Sequence, residues 1–212
     1  MTRDEAVAQI KQVLGFRSDL TTQAEDGLKF QQNELEHEAQ LPRFLLEETL
    51  SLTCTADTER MTPPTGFLRE WDEDGLYVQE PDSDPVKWIK LEKDEPSYLR
   101  SVYGETEASI PEAYAFDGTS FMLFPTPDAA YTFRMIYYKA DTVLSSNVTN
   151  KWLTNLPYLL IGRAGAVLAA SARDQAALGI FGSMVAENTA KLNSWSTDRD
   201  MAGKKLVVGG PD

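Results

Sequence analysis

His37, the single histidine of the 212-residue chain, stands in ELEHE with Glu34 three positions before it and Glu38 beside it. On a helix His37 and Glu34 share a face, and an imidazole with two carboxylates could hold a divalent metal or move a proton. Zinc wants further His or Cys ligands, and the chain offers only Cys54. A solvated helix face is therefore the better account of these three residues. The same scarcity weakens a Ser-His-Asp arrangement, since no G-x-S-x-G is present. Asp72-Glu73-Asp74 and Asp82-Ser83-Asp84 could act as acid and base or as calcium ligands, but both fall in turn-like stretches. The calcium-loop pattern with its closing Glu is absent, and so is any phosphate-cradling glycine loop. The sequence predicts no catalytic residue, no metal site and no cofactor.

The formal net charge of -13, without a run of Lys or Arg, argues against a chain that grips nucleic acid by its phosphates. It leaves room for a duplex passing by, because an acidic wall repels phosphate. One cysteine forms no internal disulfide, and MTRDEAVAQI carries acidic residues where a secretory signal has an apolar run. The expected compartment is a reducing cytosol. The most apolar stretch, Leu156 to Ala172, is short for a bilayer and contains Arg163, so no membrane span is expected.

The elements follow from periodicity. Val7, Ile10, Val13 and Leu14 recur at helical spacing between Thr2, a cap, and Gly15, and a thin apolar stripe of Leu20, Ala24, Leu28, Leu35 and Ala39 predicts a second helix toward Gln40, ended by Pro42. Alternation then begins at Leu50, Leu52 and Cys54. Phe67 to Trp71 and Leu76 to Val78 suggest a strand pair about Asp74-Gly75, and Val86 to Leu91 another strand. Asp94 can cap a short helix carrying Tyr98, Leu99, Val102 and Tyr103, with Gly104 at its end. Asp117-Gly118 marks a hairpin turn, and FDGTSFMLFPTPDAAYTFRMIYYK (Phe116 to Lys139) reads as two strands joined by a proline-rich turn. Both strands carry large apolar residues on both faces. From Asn155 to about Trp195 the pattern is helical in two pieces broken near Asp174, the first rich in Gly and Ala.

Helices at both ends and strands between predict an α+β fold. Residues 1–41 and 152–197 are expected to form a helical bundle, 42–151 an inserted, mainly antiparallel β subdomain, and 198–212 an extended C-terminal tail. Most aromatics of the β part read as core, and the remainder, including Trp71, Trp88 and Tyr138, as a protein interface, where Tyr and Trp are enriched. The small-residue helix with Arg163 and Ala166 is apolar nearly all round and predicts close neighbours, another chain among them. Lys204, Lys205, Leu206, Val207 and Val208 form a short β-prone peptide that either stays disordered or docks along a partner's sheet edge or groove.

LPRFLLEETL, TPPTGFLREW, the long Ile110 to Asn147 block with its DG and PTPDAAYT turns, and KWLTNLPYLLIGRAGAVLAA follow one another after a leading helical pair. This order, over nearly the whole chain, resembles the head-to-tail adaptor proteins of tailed bacteriophages. The resemblance implies a non-enzymatic part of the virion, made in the host cytoplasm and placed at the head-tail junction. Such adaptors form a ring, commonly of twelve copies, between the portal protein and a tail or nozzle protein. Double-stranded DNA traverses the ring without specific binding, and the C-terminal tail reaches onto the portal. Two other classes stay open on the residues alone: a monomeric module whose β subdomain captures a peptide or glycan, and a hydrolase centred on His37.

Overall fold

The computed structural model describes residues 1–38, 41–71, 75–104 and 106–203. In chain order the helices are α1 (Arg3–Val13), α2 (Thr21–Glu36), α3 (Pro96–Tyr103), α4 (Lys151–Asn155), α5 (Pro157–Ser171) and α6 (Gln175–Gly203). The strands are β1 (Leu46–Thr53), β2 (Arg60–Met61), β3 (Phe67–Glu70), β4 (Leu76–Gln79), β5 (Trp88–Lys90), β6 (Glu92–Lys93), β7 (Ala113–Phe116), β8 (Phe121–Phe124) and β9 (Thr132–Lys139). The fold is α+β, and it divides into a helical unit, residues 1–45 with 141 onward, and a β unit, Leu46–Ala140.

In the helical unit α1 opens with a capping box. Thr2 Oγ1 accepts the Glu5 N–H at 3.3 Å while the Glu5 carboxylate accepts the Thr2 N–H at 2.9 Å, satisfying two of the helix's orphan donors. Ala6, Val7 and Ile10 form its buried stripe. The expected second helix splits: a single 3-10 turn, Ser18–Leu20, precedes α2, which buries Ala24, Leu28 and Leu35 and ends at Glu36 rather than near Gln40. Asp174 accepts the Ala177 N–H at 3.0 Å and starts α6. That helix runs to Gly203, so residues 198–203, expected in the tail, are helical. No proline or glycine interrupts the chain between Gly182 and Gly203.

The glycines of α5 have a specific use. A Cβ at Gly165 would lie 2.3 Å from Phe181 Cε1, and one at Gly162 would lie 2.9 Å from Val185 Cγ2, so α6 rests directly on the α5 backbone there. On α2 a Cβ at Gly27 would meet Ala164 Cβ at 3.5 Å. With α1, α2 and α6 around it, α5 buries Leu159, Leu160, Ile161, Gly162, Ala164, Gly165, Leu168 and Ala169 inside its own chain. The expectation that its apolar character calls for another chain is corrected to that extent. Only Tyr158 and Val167 remain as large exposed apolar side chains of α5.

Residues 141–150 belong with the helices because a buried polar network ties them to α2. One oxygen of Glu36 accepts from Gln32 Nε2 at 2.9 Å, Trp152 Nε1 at 3.0 Å and the Asp141 N–H at 3.2 Å. Asn150 Nδ2 donates to Gln32 Oε1 and to the Thr142 carbonyl, each at 3.1 Å, and its own Oδ1 accepts the Leu153 N–H as the cap of α4. Trp152, wholly buried, stands edge-on to Phe44.

The β unit contains two sheets. In the first, β9 is central: β1 pairs along one side of it, β4 and β3 share the other, and β5 extends from β4. The second runs β2-β8-β7-β6, and only the short β6–β7 pair is parallel. Two expectations change here, and a third holds. The strands of Phe116 to Lys139 do not form one hairpin, since β8 and β9 lie in different sheets. β3 and β4 both pair with β9, at Tyr137 to Lys139 and at Phe133 to Met135, instead of with each other. The turn at Asp117-Gly118 does form, between β7 and β8.

This arrangement accounts for the two-sided apolar strands. Phe121 and Leu123 of β8 and Tyr114 of β7 meet Leu76, Val78, Phe133, Met135 and Tyr137 in one core cluster. Met122 and Phe124, on the other side of β8, join Ala113 and Ala115 against Leu99 and Tyr103 of α3. The second face of β8 is covered by a short helix of the same chain. Pro96 takes its first position, so the cap falls at Glu95 rather than Asp94, whose carboxylate instead accepts the Glu95 N–H at 2.7 Å.

Candidate interaction surface

Strand alternation gives the first sheet two faces of opposite character. Where Phe133, Met135 and Tyr137 turn into the core, Thr132, Arg134, Ile136 and Tyr138 of β9 turn away from it. The register places Tyr77 opposite both Arg134 and Lys90, Trp88 opposite Gln79, and Arg69 opposite Tyr138. Six side chains of this face therefore interleave cations with rings. Arg134 Cζ lies 4.7 Å from the Tyr77 ring centre and 5.9 Å from that of Trp88. Lys90 Nζ lies 5.9 Å from Tyr77, and Arg69 Cζ lies 5.1 Å from Tyr138.

Each such contact contributes about 0.5 to 2 kcal/mol, more as water is excluded. They also hold the long arginines flat. Trp88, Tyr77, Arg69 and Arg134 are half-buried, and Tyr138 is buried. Glu48 on β1 approaches Arg134 Nε at 3.6 Å, while the Nε atoms of Arg69 and Arg134 are buried without a hydrogen bond among the described residues. Arg, Tyr and Trp together on a flat, partly desolvated face are the composition of an interface hot spot.

Beside this face is a hollow of about 540 Å³ whose lining includes Glu70, Trp71, Lys90, Lys93, Glu112 and Tyr114. Trp71 is held by its N–H, which donates to the Ile136 carbonyl at 3.2 Å. The Tyr114 hydroxyl donates to buried Glu70 at 2.6 Å, and Lys93 Nζ approaches the same carboxylate oxygen at 3.2 Å. Burial first, and then the Glu70 carboxylate, push the Tyr114 phenol far above its usual range. The phenol therefore stays protonated, and donating, across the ordinary pH range. With one Glu70 oxygen held by both Tyr114 and Lys93, the hollow serves to shape the surface beside Trp71.

The other residues singled out from sequence lie elsewhere. Arg163 and Ala166 sit half-buried on α5 in the helical unit, where Arg163 forms an ion pair with Glu38. His37 ends α2 with Nδ1 2.7 Å from the Asn33 carbonyl. Among the described residues no three His, Cys, Asp or Glu side chains come together as a metal site. Lys204, Lys205, Leu206, Val207 and Val208, like Asp72-Glu73-Asp74, lie outside the described residues. Trp71, Trp88 and Tyr138 were singled out in the sequence, while Arg69, Lys90 and Arg134 were not. Their signal, a cation one place removed from an aromatic on neighbouring strands, appears only once the register is known.

No described helix is long and apolar enough to cross a membrane. The family model of the SU10 adaptor protein matches residues 1–207. No curated protein matches the chain.

Proposed function

Since the chain belongs to the SU10 adaptor protein family, and so to the structural proteins of bacteriophages, we propose that it is the head-to-tail adaptor of its virion. In this role copies form a ring that joins the portal to the tail or nozzle and lets DNA pass during packaging and ejection. The match across residues 1–207 carries this reading, because it spans the helical unit and the β unit alike.

Two features support it. A formal charge of -13 per copy, multiplied around a ring commonly of twelve, gives a channel that repels phosphate instead of holding it. A hot-spot face on the β unit suits a protein whose work is to be held by others. Trp71, Trp88 and Tyr138, with Arg163 and Ala166 on α5, are proposed to lie at contacts with neighbouring copies or the tail protein. Lys204 to Val208 are proposed to dock on the portal as an added strand.

Electron microscopy of the purified protein with and without its portal tests the reading. A ring stacked coaxially on the portal is the expected result. A persistent monomer that ignores the portal would overturn it in favour of a free-standing peptide- or glycan-binding module.

A further inference from the structure

The interleaved face of the first sheet is basic where the chain as a whole is acidic. Arg69, Arg134 and Lys90 stand on it, with Glu48 as the acidic neighbour that approaches Arg134. The remaining surface carries the excess that brings the chain to -13. We propose that this face takes the carboxylate-bearing surface of a second copy, in a head-to-tail contact with Arg134 at its centre and Trp88 and Tyr138 beside it. This proposal rests on the ring reading and specifies its subunit contact.

The sign of the charge selects the geometry. A two-fold contact would set this face against itself, bringing Arg134 and Arg69 toward their own equivalents as rings and cations lose water. Like charges so placed repel strongly once desolvated. A contact between two different surfaces avoids this and, if its rotation closes, makes a ring. The acidic surface exists on every copy, so each subunit both offers and receives the contact. The arginines are prepared for it. Stacking over Tyr77 and Tyr138 fixes both guanidinium planes before binding, which lowers the ordering cost of association.

Lys90, exposed at the rim of the face, provides a covalent probe. Assembled particles are formed from an equal mixture of isotopically light and heavy chains, treated with a zero-length carbodiimide, digested and analysed by mass spectrometry. The expected products join Lys90 of one label to an Asp or Glu of the other. In parallel, Arg134→Gln and Lys90→Glu are compared with wild type by sedimentation. Arg134→Gln is expected to weaken assembly about 30-fold, the equivalent of the roughly 2 kcal/mol lost on truncating a central arginine. Raising salt from about 0.1 to about 1 M, which shortens screening from roughly 10 to roughly 3 Å, should weaken the wild type more than Arg134→Gln. Circular dichroism separates a folded variant that fails to assemble from an unfolded one, and the cross-link on wild type needs no variant.

Rings in which Lys90 links only within its own copy, or only to a different virion protein, would overturn this contact while leaving the adaptor reading intact. A chain found solitary at the virion vertex would overturn both.

Discussion

Adding one methyl group at Gly165 tests the packing of the helical unit most directly. A Cβ there would fall 2.3, 2.5 and 2.6 Å from three ring carbons of Phe181, and Phe181 has no solvent exposure into which it could swing. Carbon atoms in contact rest about 3.5 to 4.0 Å apart, so the ring or α6 itself must retreat by more than an ångström. Overpacking of this kind costs about 1 to 3 kcal/mol. Alanine also favours a helix interior over glycine by about 1 kcal/mol, which would mask part of the loss. Gly179→Ala removes that ambiguity, because Gly179 lies in α6 and a Cβ there meets nothing within 4 Å. The propensity gain cancels between the two variants, leaving Gly165→Ala less stable than Gly179→Ala by about 1 to 3 kcal/mol. Chemical denaturation followed by helical circular dichroism reads the difference. Equal midpoints, or a higher one for Gly165→Ala, would refute the close approach of α5 and α6.

The other perturbations address separate parts of the chain. Glu36→Ala strips the acceptor from Trp152 Nε1 and the Asp141 N–H, while Gln32 Nε2 keeps the Asp141 and Thr142 carbonyls, and is expected to cost roughly 2 to 3 kcal/mol, as a buried donor without an acceptor costs about 1 to 3 kcal/mol; unchanged stability would mean that the network is incidental. The Asp117 carboxyl is held well below its usual range, chiefly by the Thr119 and Ser120 N–H groups. Its contribution is complete above the unfolded value of about 3.9 and is lost as pH falls through the lower folded value. The stability gap between wild type and Asp117→Asn should therefore stay level from neutral pH to about pH 4 and narrow below it; a gap that closes already above pH 5 contradicts the assignment. Truncation after Gly203 is expected to leave helical content unchanged and weaken portal attachment, measured by co-sedimentation with purified portals. Undiminished attachment would remove the docking role of Lys204 to Val208.

Local signals reached local structure. Thr2 caps α1 as its place in the sequence indicates, because cap chemistry operates within four residues, and Asp117-Gly118 makes its turn for the same reason. Alternation in Phe121 to Phe124 and Thr132 to Lys139 correctly gave strands, but period two is silent about partners, so both were joined into one hairpin although they face each other across a core. Gln32 and Glu36 fall outside the apolar stripe by which the sequence marks this helix. They are buried because Trp152 and Asn150, more than a hundred positions away, bring matching donors. Arg69 and Arg134 drew no notice on similar grounds, since they come beside Tyr138 and Tyr77 only through β9.

The central position of β9 also governs the order in which the chain can be made and folded. β1, β3 and β4 all leave the ribosome before the strand that hydrogen-bonds each of them exists. Until Lys139 has emerged, β1 and β3 lack their sheet partner and β4 has only β5, with the distant closure of Leu46 onto Tyr138 still to come. Synthesis of the second half of the β unit, rather than the first, is therefore the interval in which this polypeptide is most exposed to premature association in the infected cell.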